Sequence, residues 1–507
     1  MTAAMPEAYP TVLHMLAAAA GAAPERLALR CNGDELTYRE YLACVAGFAQ
    51  ELGEDVRGGR VALIMANSVD IAIAFYAVGA AGAQVVPLNP AYTAYELQPI
   101  LADAAPSVIV YDDALHDVVS RIATQIGVAR LIRIGPEKRL TAWRAQPVTR
   151  LSFPAPHTLS TLQYTGGTTG RSKGVNLTHA AVATNVAQRE ALLPSEDRER
   201  ILVVTPLYHS YAIAMGLYLA VYCRGTLTIL PRYRPEDVLK LIADDRITLF
   251  AGSPTLFVGL MGHELFGKTD FSSLKLCFSG ASALPVETLR RWEKATGCTI
   301  CEGYGQSEAG PVLTYNPRHG VRKPGSAGAP LPLTEIEIVD TQTGRSIMPR
   351  GEAGEIRARG PQIMAGYRNL PDETATALRD GWLYTGDIGT LDEDGYLYVQ
   401  DRKKDMVIVG GFNVYPREIE EVLCAHSDVI EAAAIGIRDS YRGEVLRAYV
   451  VMRSGARTAT SDLFAHVRER LTRYKIPAEI TITPSLPKTT VGKIDKVALR
   501  AQATKAS

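Results

Sequence analysis

Residues 164–174 read YTGGTTGRSKG, a polar and glycine-rich turn set directly after the apolar run that ends near Leu162. Glycine lets successive backbone N–H groups turn inward together, threonine and serine hydroxyls add donors, and one lysine adds positive charge. Such a loop can cradle a polyphosphate. It is not a Walker loop, because the lysine follows serine in GRSKG and the GxxxxGK[ST] spacing is missing. Composition alone leaves a flexible surface hairpin open as the alternative.

A phosphate loop works only if a strand and a helix hold it, and the chain supplies both. Short β-branched runs alternate with helical stretches: VALIM from 61, QVVPL from 84, SVIVY from 107, RILVV from 200, TLTIL from 226, ITLFA from 247 and LKLCF from 274. Segments between them, such as PEDVLKLIADD, carry apolar faces at helical spacing, which predicts α/β architecture with mostly parallel sheets. From about 327 the texture changes to glycine-punctuated alternating strands, EIEIVD, GEIRARG, GYLYVQD and MVIVGG, the pattern of antiparallel sheet. The charged stretch VQDRKKDMVIVGG marks a domain boundary. After it PREIEEVLCAH and TSDLFAHVRERLTRY read as helices, and AAAIGI, RAYVVM and AEITIT as strands, enough for a small α+β domain. The expected architecture is a large N-terminal domain over 1–401, with αβ layered sheets and a β-rich subdomain, then a small mobile C-terminal domain over 402–507.

A chain of 507 residues is too long for one core. Lys plus Arg and Asp plus Glu both number 54, so no global charge draws the chain to nucleic acid or an anionic membrane. The longest apolar run, Ile71–Leu88, is rich in alanine and glycine and broken by Gln84 and Pro87. A helix opening near Asp70, a turn at Gly82 and a buried strand explain it without a membrane span. Seven scattered cysteines and no secretory leader predict a reducing, cytoplasmic setting. The CxxC pair Cys298 and Cys301 has no second Cys/His pair nearby, and an extended segment would point the two thiols apart, so no metal site is expected there.

Five ordered motifs now carry a resemblance: the loop, YGQSEAG at 304–310, GWLYTGD at 381–387, DRKKDMVIVGGFNVYPREIE at 401–420 and PKTTVGKIDK at 487–496. Together, over about residues 10–500, they resemble the adenylate-forming superfamily, in its fatty- and aryl-acid–CoA ligase branch. The resemblance implies that a carboxylic acid attacks the α-phosphate of ATP, giving acyl-AMP and pyrophosphate, and that coenzyme A then displaces AMP. It also implies that Thr165, Gly167, Thr168, Thr169, Gly170 and Lys173 hold the β- and γ-phosphates. Gly166 and Ser172 stand where the family often has serine and proline. Ser307 would reach the α-phosphate, at a position where threonine is commoner, and Glu308 would bind Mg²⁺. Gly280, Ala281 and Ser282 of SGASALP, with Glu302, Gly303 and Tyr304 of EGYG, would enclose adenine, Tyr304 by stacking. Asp387 and Arg402 would hold the ribose, a carboxylate having two acceptor oxygens for a diol. Lys493 would neutralise charge building between carboxylate and α-phosphate. Lys404 would be the hinge on which the small domain rotates, bringing Gly410 and Gly411 to a narrow channel for the pantetheine of coenzyme A.

His209 in PLYHSYA would border the acyl group and gate the thiol, a buried core histidine being the other reading of that residue. Tyr211, Ala212, Gly305, Gly310 and Val312 would line the acyl pocket. Amino-acid-activating members usually carry an aspartate just after this histidine; HSYAIAMGLYL has no acid, and a buried ammonium without a partner is expensive. The expected substrate is therefore a hydrophobic acid, whether fatty, aryl or a bulky natural-product acid. Loading of a carrier protein instead of coenzyme A, and an inactive nucleotide-binding homologue, are the alternatives; Lys173, Glu308, Asp387 and Lys493 together speak against the second. Luciferase-type oxygenation stays open but needs a special substrate. A monomer or homodimer is expected, without nucleic acid as partner.

Overall fold

The structure is a computed structural model that describes residues 4–148, 151–165, 172–403, 405–409, 412–439, 443–489 and 492–505. Two large sheets dominate its first part. One runs Ala329–Pro330, Thr314–Tyr315, Ile300–Tyr304, Leu276–Ser279, Leu249–Gly252, Arg200–Val203, Thr226–Ile229, Leu27–Cys31, Asp34–Thr37, with the strands from Ile300–Tyr304 to Leu27–Cys31 parallel. The other runs Gly366–Tyr367, Lys173–Thr178, Leu159–Thr165, Gln84–Leu88, Arg60–Ile64, Val108–Asp112, Arg130–Ile134. Its last five strands are parallel, as their helical crossovers require.

The run over 71–88 shows how the sequence builds this. Ser68 caps the helix Val69–Ala80 by accepting from the Ile71 N–H. Gly82 turns the chain at φ +79°, and every residue of the strand Gln84–Leu88 is buried. The helix is buried on all sides, and its one acid, Asp70, takes hydrogen bonds from Arg139 Nε and the Leu140 N–H, each at 2.7 Å. No helix among the described residues is long and apolar enough to cross a membrane.

From residue 335 onward the sheets are largely antiparallel. A third sheet joins Glu335–Val339, Gly354–Arg359, Trp382–Leu391 and Leu378–Arg379, with Leu397–Arg402 paired to Trp382–Leu391. The fourth begins at Val407–Val409 and includes Phe412–Val414, Gly443–Met452, Val429–Asp439 and Glu479–Ile482, the last parallel to its neighbour. It has its own core around Val407, Leu423, Ala448 and Val467. The molecule is thus an α/β protein with a large N-terminal and a small C-terminal part.

Two elements differ from the sequence reading. The helix expected over TSDLFAHVRERLTRY stops at Arg468, although Leu471 still packs on the core that Leu463 and Val467 help to form. A C-terminal helix, Lys496–Lys505, was not anticipated; it packs Leu499 and Ala503, four apart, against Ala433 and Ile435.

Candidate active site

A cavity of about 1230 Å³ opens where the carboxyl ends of Leu276–Ser279 and Ile300–Tyr304 face the third and fourth sheets. Crevices outside the carboxyl ends of parallel strands are where open α/β sheets bind ligands. Thr165, Lys173, His209, Tyr211, Gly280, Ala281, Ser282, Glu302, Gly303, Tyr304, Gly305, Ser307, Glu308, Val312, Asp387, Arg402 and Lys493 all line it. Gly167, Thr168, Thr169, Gly170, Lys404, Gly410 and Gly411 lie outside the described residues. Gly310 lines a smaller chamber behind the cavity, whereas Ala212 lines neither and is packed in the core; Ile213 and Ala214 face the chamber instead.

The strand-end loops are tightly shaped. Ala281 adopts φ +68°, a left-handed conformation that costs an alanine free energy and is typical of ligand-clamping turns. A side chain at Gly305 would place its Cβ 1.9 Å from the Pro311 carbonyl oxygen, so only glycine allows the chain to close there. Glu302, under this loop, accepts from the Leu284 N–H at 2.8 Å, and burial pushes its carboxyl up to about 7.

The charged groups form a connected set drawn from distant parts of the chain. Asp387 and Arg402 are register partners on neighbouring strands, with Arg402 Nε 3.2 Å from Asp387 Oδ1. Tyr304 Oη donates to the other oxygen of Asp387 at 2.6 Å. Burial raises the Asp387 pKa, opposed by Arg402, the Tyr304 hydroxyl and Lys493. Lys493 enters on the loop before the helix Lys496–Lys505. Its backbone is tied back to the large part of the molecule, since Thr255 Oγ1 donates to the Gly492 carbonyl at 2.9 Å. Desolvation, then the nearby Arg402 charge, brings Lys493 down to about 8 despite the attraction of Asp387. Desolvation and then the Lys493 charge bring His209 down to about 3, so its ring is neutral; Nδ1 accepts from the Tyr211 N–H at 3.3 Å.

On the opposite wall Glu308 Oε1 accepts from Tyr367 Oη at 2.9 Å, and Lys173 Nζ lies 5.0 Å from the centre of the Tyr367 ring. Ser307 Oγ is 3.3 Å from Ser210 Oγ. Sequence reasoning missed Tyr367 and Ser210. It also missed the tie that seats the small part, Arg417 Nη1 on the Val399 carbonyl at 2.7 Å, and within that part the pair of Lys496 Nζ with Glu420 at 2.8 Å. GPQIMAGY and PLYHSYA were visible as motifs, but which hydroxyl meets which acid depends on pairing between sheets. The CxxC thiols point apart as expected; Cys298 instead lies 3.7 Å from Cys277 on the next strand.

A positive lysine, a nearby paired carboxylate and a hydroxyl- and carboxylate-bearing wall facing one cavity can bind a polyphosphate ester and stabilise charge developing on it. Among the described residues no group of three or more His, Cys, Asp or Glu side chains is arranged to cage a metal. A single carboxylate such as Glu308 suits Mg²⁺ when substrate phosphates complete the shell.

Comparison with known proteins matches residues 16–368 to the AMP-binding enzyme model and 418–493 to the AMP-binding enzyme C-terminal domain. A long-chain-fatty-acid–CoA ligase of Bacillus subtilis (strain 168) is 38% identical, over 96% of this chain and 93% of that protein. A feruloyl-CoA synthase of Amycolatopsis sp is 36% identical over 94% and 96%. ATP-bound MatB from Rhodopseudomonas palustris superposes with a TM-score of 0.91 at 32% identity, covering 98% of this chain and 99% of that one. Its apo form, at the same coverage, gives 0.81.

Proposed function

The chain belongs to the AMP-binding enzyme family and is an AMP-forming acid–thiol ligase, and from that premise we propose how its residues divide the work and what acid they take. A carboxylate is a poor acyl donor because its leaving group would be oxide. Transfer to the α-phosphorus of ATP supplies a better one, with pyrophosphate as the other product. Coenzyme A then forms the thioester and AMP leaves.

In our reading Lys493 bridges the acid and the α-phosphate and neutralises the charge that grows as the C–O–P linkage forms. Ser307 holds an α-phosphate oxygen. Thr165, Lys173 and the glycine–threonine turn over 166–170 hold the β- and γ-phosphates. Asp387 accepts from the ribose hydroxyls while Arg402 and Tyr304 orient it, and Gly280, Ala281, Ser282, Glu302 and Gly303 surround the base. Mg²⁺, held by Glu308 with the phosphates, supplies charge neutralisation. His209, uncharged, borders the acyl carbon without repelling Lys493. Tyr211, Gly305, Gly310 and Val312 enclose a hydrophobic acyl group, with no acid nearby in HSYAIAMGLYL to receive an ammonium.

The observation that carries this reading is convergence: Lys493, far beyond Asp387 and His209 in the chain, shares one desolvated neighbourhood with Asp387, Arg402 and His209. This is the arrangement needed for adenylation, and the greater likeness to ATP-bound than to apo MatB supports it. The test is pyrophosphate exchange and coenzyme A-dependent AMP release with a panel of fatty and aryl acids. Release of ADP, or no exchange with any acid, would end it. The boundary at 401/402 and the hinge at Lys404 belong to the same proposal: Lys404→Pro should spare pyrophosphate exchange and stop thioester synthesis, and normal turnover with coenzyme A would argue against rotation there.

A further inference from the structure

One buried carboxylate bridges the seam between the large and small parts of the molecule. Asp401 stands on the strand Leu397–Arg402 and pairs with Ile388 in the third sheet, so it belongs to the large part. Its side chain is 7% exposed, and its Oδ1 accepts from the Arg402 N–H at 2.8 Å. The other oxygen, Oδ2, meets two groups of the small part. It accepts from the Arg417 N–H at 3.2 Å and lies 3.9 Å from Lys496 Nζ.

The first contact completes a helix. Pro416–Cys424 begins on a proline, which has no N–H to offer, so the Arg417 N–H is its first donor. A Ser, Thr, Asp or Asn just before a helix ordinarily accepts from the second or third N–H. Here Tyr415 stands in that place and makes no such bond. Asp401 supplies the missing cap from the other part of the molecule, with a negative charge where the helix dipole favours one.

The second contact shares a cation. Within the small part Lys496 is held by Glu420 at 2.8 Å, and Glu420 also accepts from the Ala434 N–H at 2.8 Å. Other charges beside the seam are paired inside the small part too, Arg417 Nε with Glu421 and Arg500 Nη2 with Asp405. Lys496 therefore keeps Glu420 however the small part is oriented, whereas Asp401 loses both of its partners there once that part turns. Burial raises the Asp401 pKa, with Lys496 the largest opposing influence. A buried carboxylate gains little net from a cation in reach, which suits a contact that has to open in every turnover.

We propose that Asp401 is the latch of the adenylation arrangement: a positioning residue that caps the helix Pro416–Cys424 and attracts Lys496 across the seam, and releases both when the small part turns towards thioester formation. This rests on the rotation reading and adds to it a group that sets its balance.

Adenylation draws on the seated arrangement and thioester formation on the turned one. The ratio of the two half-reaction rates thus follows the equilibrium between them, whichever predominates. Asp401→Ala should raise the ratio of thioester formation from supplied acyl-AMP to pyrophosphate exchange by about two- to thirtyfold, the range a lost N-cap spans. The acyl group is that of the acid that exchanges best in the panel. Asp401→Asn, still a good cap but uncharged, should raise the ratio less. The unmodified enzyme gives a second measurement that needs no variant to fold. Carbodiimide-driven glycinamide labelling, read by mass spectrometry, should modify Asp401 severalfold more with AMP and coenzyme A than with ATP and Mg²⁺, Glu420 serving as reference. Half-reactions that fall together, an unchanged ratio, or equal labelling of Asp401 in both states would each overturn the latch. If Lys404→Pro still stops thioester synthesis, the rotation survives that loss; if it does not, rotation and latch fail together.

Discussion

The two ends of the active-site cavity are built on opposite principles. At the nucleotide end, charged groups stand on loops and strand ends and are paired across the fold: Tyr304 with Asp387, Asp387 with Arg402, Glu308 with Tyr367. At the acyl end the walls are core elements, the strand Leu159–Thr165, the helix His179–Leu192 and a π-helical turn, Ile213–Tyr218, and the polar groups on them are few, buried and partly unpaired. The first end prepares for a ligand of known charge by pre-arranging charges of its own. The second is shaped by packing, with few polar groups on its walls. Catalytic power should therefore reside in the first and selectivity in the second, and variants at the nucleotide end should depress all acids alike.

The largest effect that comparison predicts is at Lys493. Lys493→Ala should lower acyl-AMP formation by about 10²–10³-fold or more for every acid, the scale of losing one transition-state charge contact. Thioester formation from supplied acyl-AMP should stay within a few-fold. Equal loss in both half-reactions would show that the lysine holds the fold or the cavity, not the adenylation transition state.

Next comes pH. With Lys493 brought down to about 8, its ammonium is present below that pH and lost as pH rises through it. The kcat/KM for pyrophosphate exchange, which reports the free enzyme, should fall above about pH 8, approaching tenfold per unit. Lys493→Arg keeps its charge at any assay pH and should lack that limb, whatever its absolute rate. A descending limb that persists in the arginine variant would assign it to another group.

This division also explains how much could be read from the sequence. At the nucleotide end the residue types are dictated by phosphate and ribose, so YTGGTTGRSKG, YGQSEAG, YTGD and VGKIDK stand out as motifs, and the chemistry of each is legible before any fold is known. Strand and helix alternation was legible for the same local reason, as at 69–88. The acyl end was not. Arg189 sits in VAQREALL, where it looks like a surface arginine on a helix; only the packing of Glu190 and the Ala214 carbonyl around it reveals a buried pair. Ala212 was expected at the pocket wall, yet the π-turn rotates Ile213 and Ala214 there instead, and no local pattern announces a π-turn. The helix Lys496–Lys505 hid behind two apolar positions too few to show a face without their partners Ala433 and Ile435.

A smaller effect is expected at Tyr304, where the proposed stacking on the base can be separated from the hydrogen bond to Asp387. Tyr304→Phe keeps the ring and removes the hydroxyl that donates to Asp387 at 2.6 Å. A hydrogen bond to a charged group contributes about 1.5–3 kcal/mol, but Arg402 remains as a partner, so KM for ATP should rise only about five- to tenfold with kcat within about twofold. An unchanged KM would leave Arg402 alone as the group that orients Asp387. A loss confined to particular acids would blur the line drawn between the two ends.

The smallest effect tests the seam between the large and small parts of the molecule. Thr255 Oγ1 donates to the Gly492 carbonyl at 2.9 Å, one residue from Lys493, and also lies 2.8 Å from Ser253 Oγ. Thr255→Val keeps the shape and deletes the donor, at a net cost of about 0.5–1.5 kcal/mol. If the small part rotates after adenylation as proposed, that contact accompanies the seated Lys493 and its cost falls on adenylation. Pyrophosphate exchange should slow by about two- to tenfold for fatty and aryl acids alike, while thioester formation from supplied acyl-AMP holds steady or gains slightly, the seated arrangement having become easier to leave. Thr255→Ser, which restores the donor, should recover the exchange rate. If instead both half-reactions fell together, the contact would matter for folding alone, and seating of the lysine would have to rest on the Arg417 hydrogen bond to the Val399 carbonyl.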